Sequence, residues 1–158
     1  FPVLSYARSV NLDWKNWDFN MFWQGVAGID GYTYYEIATC FSGFANMGDW
    51  WLDRWTPENP GNKYPRLTND GTRNNIHSTF YMEDASYLRL KNIELGYTFD
   101  KKLLPALGAC KIRLYGSIQN ALTFTSYKGF DPEQETGETR AEAYPQTRIY
   151  TVGLSVNF

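Results

Sequence analysis

Read in twos, much of the chain sorts hydrophobic and polar residues onto opposite faces, the period of a β-strand. Toward the end of residues 3–14, Val10, Leu12 and Trp14 oppose Ser9, Asn11 and Asp13. After a polar break at Lys15 and Asn16, Trp17, Phe19, Met21 and Trp23 oppose Asp18, Asn20 and Gln24, with Phe22 the exception. Two alternating runs around so short a break predict a β-hairpin. Alternation returns over residues 87–99, where Ile93, Leu95, Tyr97 and Phe99 oppose Glu94, Gly96 and Thr98. Leu88 and Leu90 run in the opposite phase, which predicts either a bulge or a separate contact for that pair. Ile112, Leu114 and Ile118 then oppose Lys111, Arg113, Ser117 and Gln119. In the last run, Tyr150, Val152, Leu154, Val156 and Phe158 face away from Thr151, Gly153, Ser155 and Asn157.

The connections alternate in length. A two-residue break is followed by residues 30–85, rich in Gly, Pro, Asn and Asp, with a short helix expected near residues 42–55. A short turn containing Pro105 and Gly108 is followed by the polar stretch 126–147. Connections as long as 30–85 are uncommon in compact domains and are usually functional. Short turns at one end, long loops at the other and apolar/polar strands of about ten residues are the pattern of an outer-membrane barrel. Lys111 and Arg113 strengthen that reading: a sandwich core buries such charges only at high cost, whereas a wet lumen holds them. In this scheme the last strand ends on the periplasmic side, and Trp14 and Trp17 stand in the periplasmic aromatic girdle.

Composition sharpens the picture. Among 158 residues are 6 Trp, 12 Tyr and 10 Phe, as expected of sugar-binding surfaces, barrel girdles or large β cores. The net charge of −2 gives nucleic acid no electrostatic foothold. No apolar run approaches the roughly 20 residues of a membrane-spanning helix. The chain begins at Phe1 without Met or a leader, so the expectation is a processed chain or part of a longer one. Cys40 and Cys110 fall at opposite ends of the barrel scheme and are expected to be unbonded. His77, the only histidine, has no metal-ligand spacing around it.

Four segments, "DRWTPENPGNKYPRL", "ASYLRLKNIELGYTF", "IRLYGSIQNALTFTSYKGFDPE" and "YPQTRIYTVGLSVNF", together resemble the C-terminal end of SusC/RagA-family TonB-dependent transporters of Bacteroidetes. The resemblance implies an all-β fold: an antiparallel transmembrane barrel of about 22 strands, of which residues 1–158 are the last five, with the plug domain outside this chain. It also implies a cell outer-membrane location and import of a glycan or peptide. The implied partners are a SusD-like lipoprotein lid and the TonB complex, reached through the missing N-terminal part. In the family, the strand carrying Tyr150, Val152, Leu154, Val156 and Phe158 is an assembly signal.

Chemistry beyond transport is not evident. There is no GxSxG, no HExxH and no nucleophile beside His77, so no catalytic residue, cofactor or metal is expected. Trp50, Trp51, Trp55 and Tyr64 either stack on substrate or the lid, or pack their own loop. Asp131, Glu133, Glu135 and Glu138 miss the EF-hand spacing and read as a solvated acidic loop. Two rivals stand beside import: a soluble carbohydrate-binding β-sandwich, and a structural outer-membrane β-protein without transport. The sandwich accounts for the aromatics but not for the loop asymmetry or the charged second face.

Overall fold

The computed structural model describes residues 3–33, 49–61, 63–67, 76, 78–99, 111–129, 131–133 and 146–157. Cys40, Cys110, His77 and Phe158 lie outside them, as does the side chain of Trp50. The chain divides into two units: Phe1–Ile29 with Ser86–Ser126 and Pro145–Phe158, and Asp30–Ala85 with Tyr127–Tyr144.

The first unit is a five-stranded antiparallel sheet. Its strands are β1 (Leu4–Trp14), β2 (Trp17–Ala27), β5 (Tyr87–Phe99), β6 (Lys111–Thr125) and β7 (Ile149–Asn157), and they neighbour one another in that order. The hairpin expected around Lys15 and Asn16 forms, with Trp14 opposite Trp17. Lys15 takes the positive φ of 55° that a two-residue turn requires. The Thr98 amide ties the turn to β5 by donating to the Asn16 carbonyl at 2.8 Å.

The phase break of β5 is a bulge. Phe22 pairs with Asn92 and Trp23 with Leu90, so β5 holds one extra residue, Lys91, against β2. One extra residue flips parity, and Leu88 and Leu90 thereby share a face with Ile93 and Leu95. On β6 the same level holds two residues, Asn120 and Ala121, against Lys91. Asn120 sits at φ 52°, and its Nδ2 donates to the Thr147 carbonyl at 3.2 Å. Because β6 gains two residues relative to β2, its alternation continues unbroken through Leu122 and Phe124.

Register then sorts the whole sheet. Trp17, Phe19, Met21, Ile93, Leu95, Tyr97, Ile112, Leu114, Val152, Leu154 and Val156 lie on one face. Aromatic rings gather near both ends of that face. Trp17 meets Tyr97 at 4.8 Å and Tyr97 meets Phe99 at 5.0 Å near the short turn; Trp23 stacks on Phe124 at 6.4 Å farther along. Much of this face is exposed: Val152 is 81% and Leu154 63% exposed, while Leu90, level with Trp23, is buried. A sandwich would bury these positions against a second sheet, and the described residues supply no such sheet on them.

The second unit pairs β3 (Asp30–Tyr32) with β4 (Met82–Asp84). Its described helical pieces are 3-10 turns, Asp49–Asp53 and Thr79–Tyr81. The helix expected near 42–55 is therefore a 3-10 turn over its described part.

Candidate functional site

The polar face of the sheet is built around Arg113. Register sets Arg113 opposite Thr98, and Asp18 opposite Gly96, so β5 lies between the guanidinium and Asp18. Arg113 nevertheless reaches across. Its Nε donates to Asp18 Oδ1 at 3.0 Å, one Nη to Asp18 Oδ2, and the same Nη to Glu94 Oε1 at 2.7 Å. Gly96 makes the crossing possible: a Cβ there would stand 2.5 Å from both the guanidinium and the Asp18 carboxylate. The Arg113 guanidinium also lies 5.0 Å from the Tyr115 ring centroid, a cation–π distance. The Tyr115 ring in turn occupies the space left by Gly153 on β7. One side-chain network thus spans β2, β5, β6 and β7, and two glycines let it do so.

The rest of that face is polar in the same manner. Asn20 donates to Asn11 at 2.5 Å, and Arg89 Nε donates to Thr123 Oγ1 at 2.8 Å. Arg89 is buried and also lies 5.6 Å from the Tyr87 ring centroid. Apart from Arg8, which the register puts on the apolar face, the charged groups of the paired strands face one way and most aliphatic groups the other, which suits a wall between water and lipid.

In the second unit, the aromatic candidates separate. Trp51 and Tyr64 are each 2% exposed, with ring centroids 5.4 Å apart. Tyr64 continues to Phe80 at 6.2 Å, and Phe80 to Tyr81 at 5.2 Å. Trp51 and Tyr64 therefore pack their own unit. Trp55 is half-buried, and its amide donates to the Tyr64 carbonyl at 2.8 Å. Lys128 donates to the Tyr64 hydroxyl at 2.8 Å. That bond raises the ammonium above its ordinary pKa, against the opposing effect of burial. Glu83 stands between Lys63 at 3.5 Å and Lys128 at 3.9 Å.

Asp131 departs from the expected solvated loop. It is 2% exposed and accepts the Glu133 amide at 2.8 Å, a local turn closed by a side chain. Glu135 and Glu138 lie outside the described residues. Among the described residues, no three His, Cys, Asp or Glu side chains gather as a metal site.

The sequence exposed Arg113 as a cation on the polar face but not its partners. Asp18 and Glu94 sit on other strands, and only register brings them to it. A glycine in mid-strand, Gly96 or Gly153, was the available signal, because such positions mark close approach of another group.

No protein-family model matches the chain. Among curated proteins, TonB-dependent receptor P3 of Formosa agariphila is 35% identical over 170 residues, which takes in 99% of this chain and 16% of that protein. TonB-dependent receptor P26 of the same organism is 29% identical over 99% of the chain and 17% of its own length. TonB-dependent receptor SusC of Bacteroides thetaiotaomicron is 27% identical over 93% of the chain and 14% of its own length. Among solved structures, the RagAB peptide importer in its closed-closed state superposes on all of this chain with a TM-score of 0.74 and 26% identity. The open-open state gives 0.71 and 25%, and in both the match takes in 17% of the solved chain. The chain therefore spans about a sixth of the length of the relatives P3 and P26.

Proposed function

We infer that this chain, which belongs to the SusC/RagA family of TonB-dependent receptors, supplies five adjoining strands to the wall of an outer-membrane barrel that imports a nutrient. The observation that carries the reading is the sheet itself. It has one exposed apolar face and one polar face crossed by an Arg–carboxylate network. Its edge strands, β1 and β7, have one strand partner each among the described residues. A sheet edge cannot stay unpaired in hydrocarbon, so membrane strands close into barrels. The rest of such a barrel lies in sequence outside this chain.

The family resemblance extends the proposal. The five strands are the last of the barrel, the plug precedes them, and the C-terminal strand ends at the periplasmic side. The long connections then face outward, as barrel loops generally do. A SusD-like lipoprotein covers the outer mouth, and the TonB complex supplies energy through the plug. Of the candidates Trp51, Trp55 and Tyr64, it is Trp55, half-buried, that keeps surface for a substrate or lid. The cargo is a peptide or glycan; the solved relatives are named as a peptide importer.

The test is uptake by cells carrying the full-length receptor. Labelled peptide pools and labelled glycan pools are offered to the parent strain, a receptor deletion and a strain lacking TonB. One pool should accumulate only when both receptor and TonB are present. Unchanged uptake of both pools in the deletion would overturn import and leave a structural barrel.

A further inference from the structure

β7 has no short turn to place it. Residues 126–148 connect it to β6. A two-residue hairpin turn fixes the pairing of its strands, whereas a connection of this length does not. The alternation of β7 excludes a slip by one residue, which would carry Val152, Leu154 and Val156 to the polar face. It does not exclude a slip by two: Leu154 would keep its face and meet Ile112 or Gly116 in place of Leu114. At the start of the strand, Asn120 donates to the Thr147 carbonyl at 3.2 Å, but every residue offers that acceptor. Its other acceptor, Gln146 Oε1 at 3.3 Å, is an exposed side chain.

The polar face distinguishes these registers at one level. Tyr115, the one aromatic side chain of β6 on that face, pairs with Gly153, the one glycine in Ile149–Asn157. A Cβ at Gly153 would collide with the Tyr115 ring and hydroxyl. The ring therefore lies where a facing side chain would stand, as close approach to a mid-strand glycine allows. A slip by two sets Thr151 or Ser155 opposite Tyr115, and either side chain would strike the ring. The ring is itself held. The Arg113 guanidinium lies 5.0 Å from its centroid, and Arg113 donates to Asp18 on β2 and to Glu94 on β5. Through Tyr115 and Arg113, β7 is aligned to strands beyond its own neighbour. An aromatic ring over a facing glycine pins strand register in this way.

We propose that Tyr115 and Gly153 form a register lock for β7, selecting one pairing among those that the apolar/polar alternation permits. In the barrel reading, on which this consequence rests, a closed wall needs one fixed stagger among its strands, so the lock decides whether β7 joins the wall correctly. The test uses the full-length receptor with its other cysteines replaced by serine, inserted in outer membranes and oxidised. Gln119→Cys with Ile149→Cys reports the register of the structure, in which the two residues are opposite. Ser117→Cys with Ile149→Cys reports a slip by two, because in the present register these are diagonal neighbours, roughly 7–8 Å apart and beyond disulfide reach. Without further change, only the first pair should link. Moving the gap, with Gly153→Ser and Thr151→Gly together, should transfer linkage to the second pair or lower the amount inserted. Adding Tyr115→Ala should remove either effect, since no ring is left to match. Undiminished linkage of the first pair and undiminished insertion in the moved-gap variant overturn the lock. So does a defect that Tyr115→Ala leaves in place. A wild-type receptor absent from the outer-membrane fraction overturns the barrel reading, and the same linkages in the fraction that holds the receptor then decide the lock.

Discussion

Arg113 holds carboxylates from two strands, and its value is set by how wet they are. Arg113, Asp18 and Glu94 side chains are 29%, 32% and 28% exposed. Partial exposure screens the attraction, so the network resembles a well-formed surface pair more than a buried one. Arg113→Met is expected to cost about 1 kcal/mol, partly from leaving Asp18 and Glu94 without a counter-charge. A double-mutant cycle with Asp18→Asn, read by urea unfolding of the full receptor in lipid, isolates the pair. The coupling should shrink in high salt; a coupling of zero at low salt would remove the bridge from the energetics. The same scale separates what the sequence revealed from what it hid. The polarity of Arg113 was legible, but its reach to Asp18 depends on Gly96 and on a register two strands wide. Trp51 and Tyr64 were open to two roles because the ring and ammonium that meet Tyr64, Phe80 and Lys128, are distant in sequence.

Among the elements, β5 and β6 carry the same irregularity with different visibility. Lys91 is a single extra residue, so it flips the alternation and leaves a break that can be read directly. Asn120 and Ala121 are two extra residues, so the alternation of β6 passes over them unchanged. Pattern reports parity, and parity cannot detect an even insertion. Parity also gives β7 a sharp test. Leu154 pairs with Leu114 on the apolar face, and Ser155 pairs with Arg113 on the polar face. Leu154→Arg should cost about 2–4 kcal/mol if it lies near the bilayer midplane. Ser155→Arg, one residue away, sets two guanidinium groups opposite each other but in water, and should cost about 1 kcal/mol or less. Refolding into lipid vesicles measures both. Equal penalties would mean that the two faces do not differ in solvent, and the wall reading would fail.

For the whole molecule, the strands and their two faces were legible in the sequence; the closure, plug and lid proposed above rest on the family resemblance and not on any residue pattern of this chain. Phe158 belongs to this scale, because its proposed role is in assembly and not in the sheet described. Burying one Phe side chain contributes roughly 1.5–3 kcal/mol, little for a barrel built from many strands. If Phe158 served only as an anchor, its deletion would lower stability slightly and leave surface levels nearly unchanged. If it completes the assembly signal with Tyr150, Val152, Leu154 and Val156, as the family resemblance implies, deletion should leave little receptor in the outer membrane. The fraction that does insert should still melt close to the wild type, since recognition during assembly and stability afterwards are separate quantities. Surface-exposed receptor per cell and the thermal unfolding of the inserted fraction, measured together with and without Phe158, separate the two cases. A large fall in surface level with little change in melting supports the signal. Equal surface levels remove it, and a parallel fall in both reduces Phe158 to a stabilising contact.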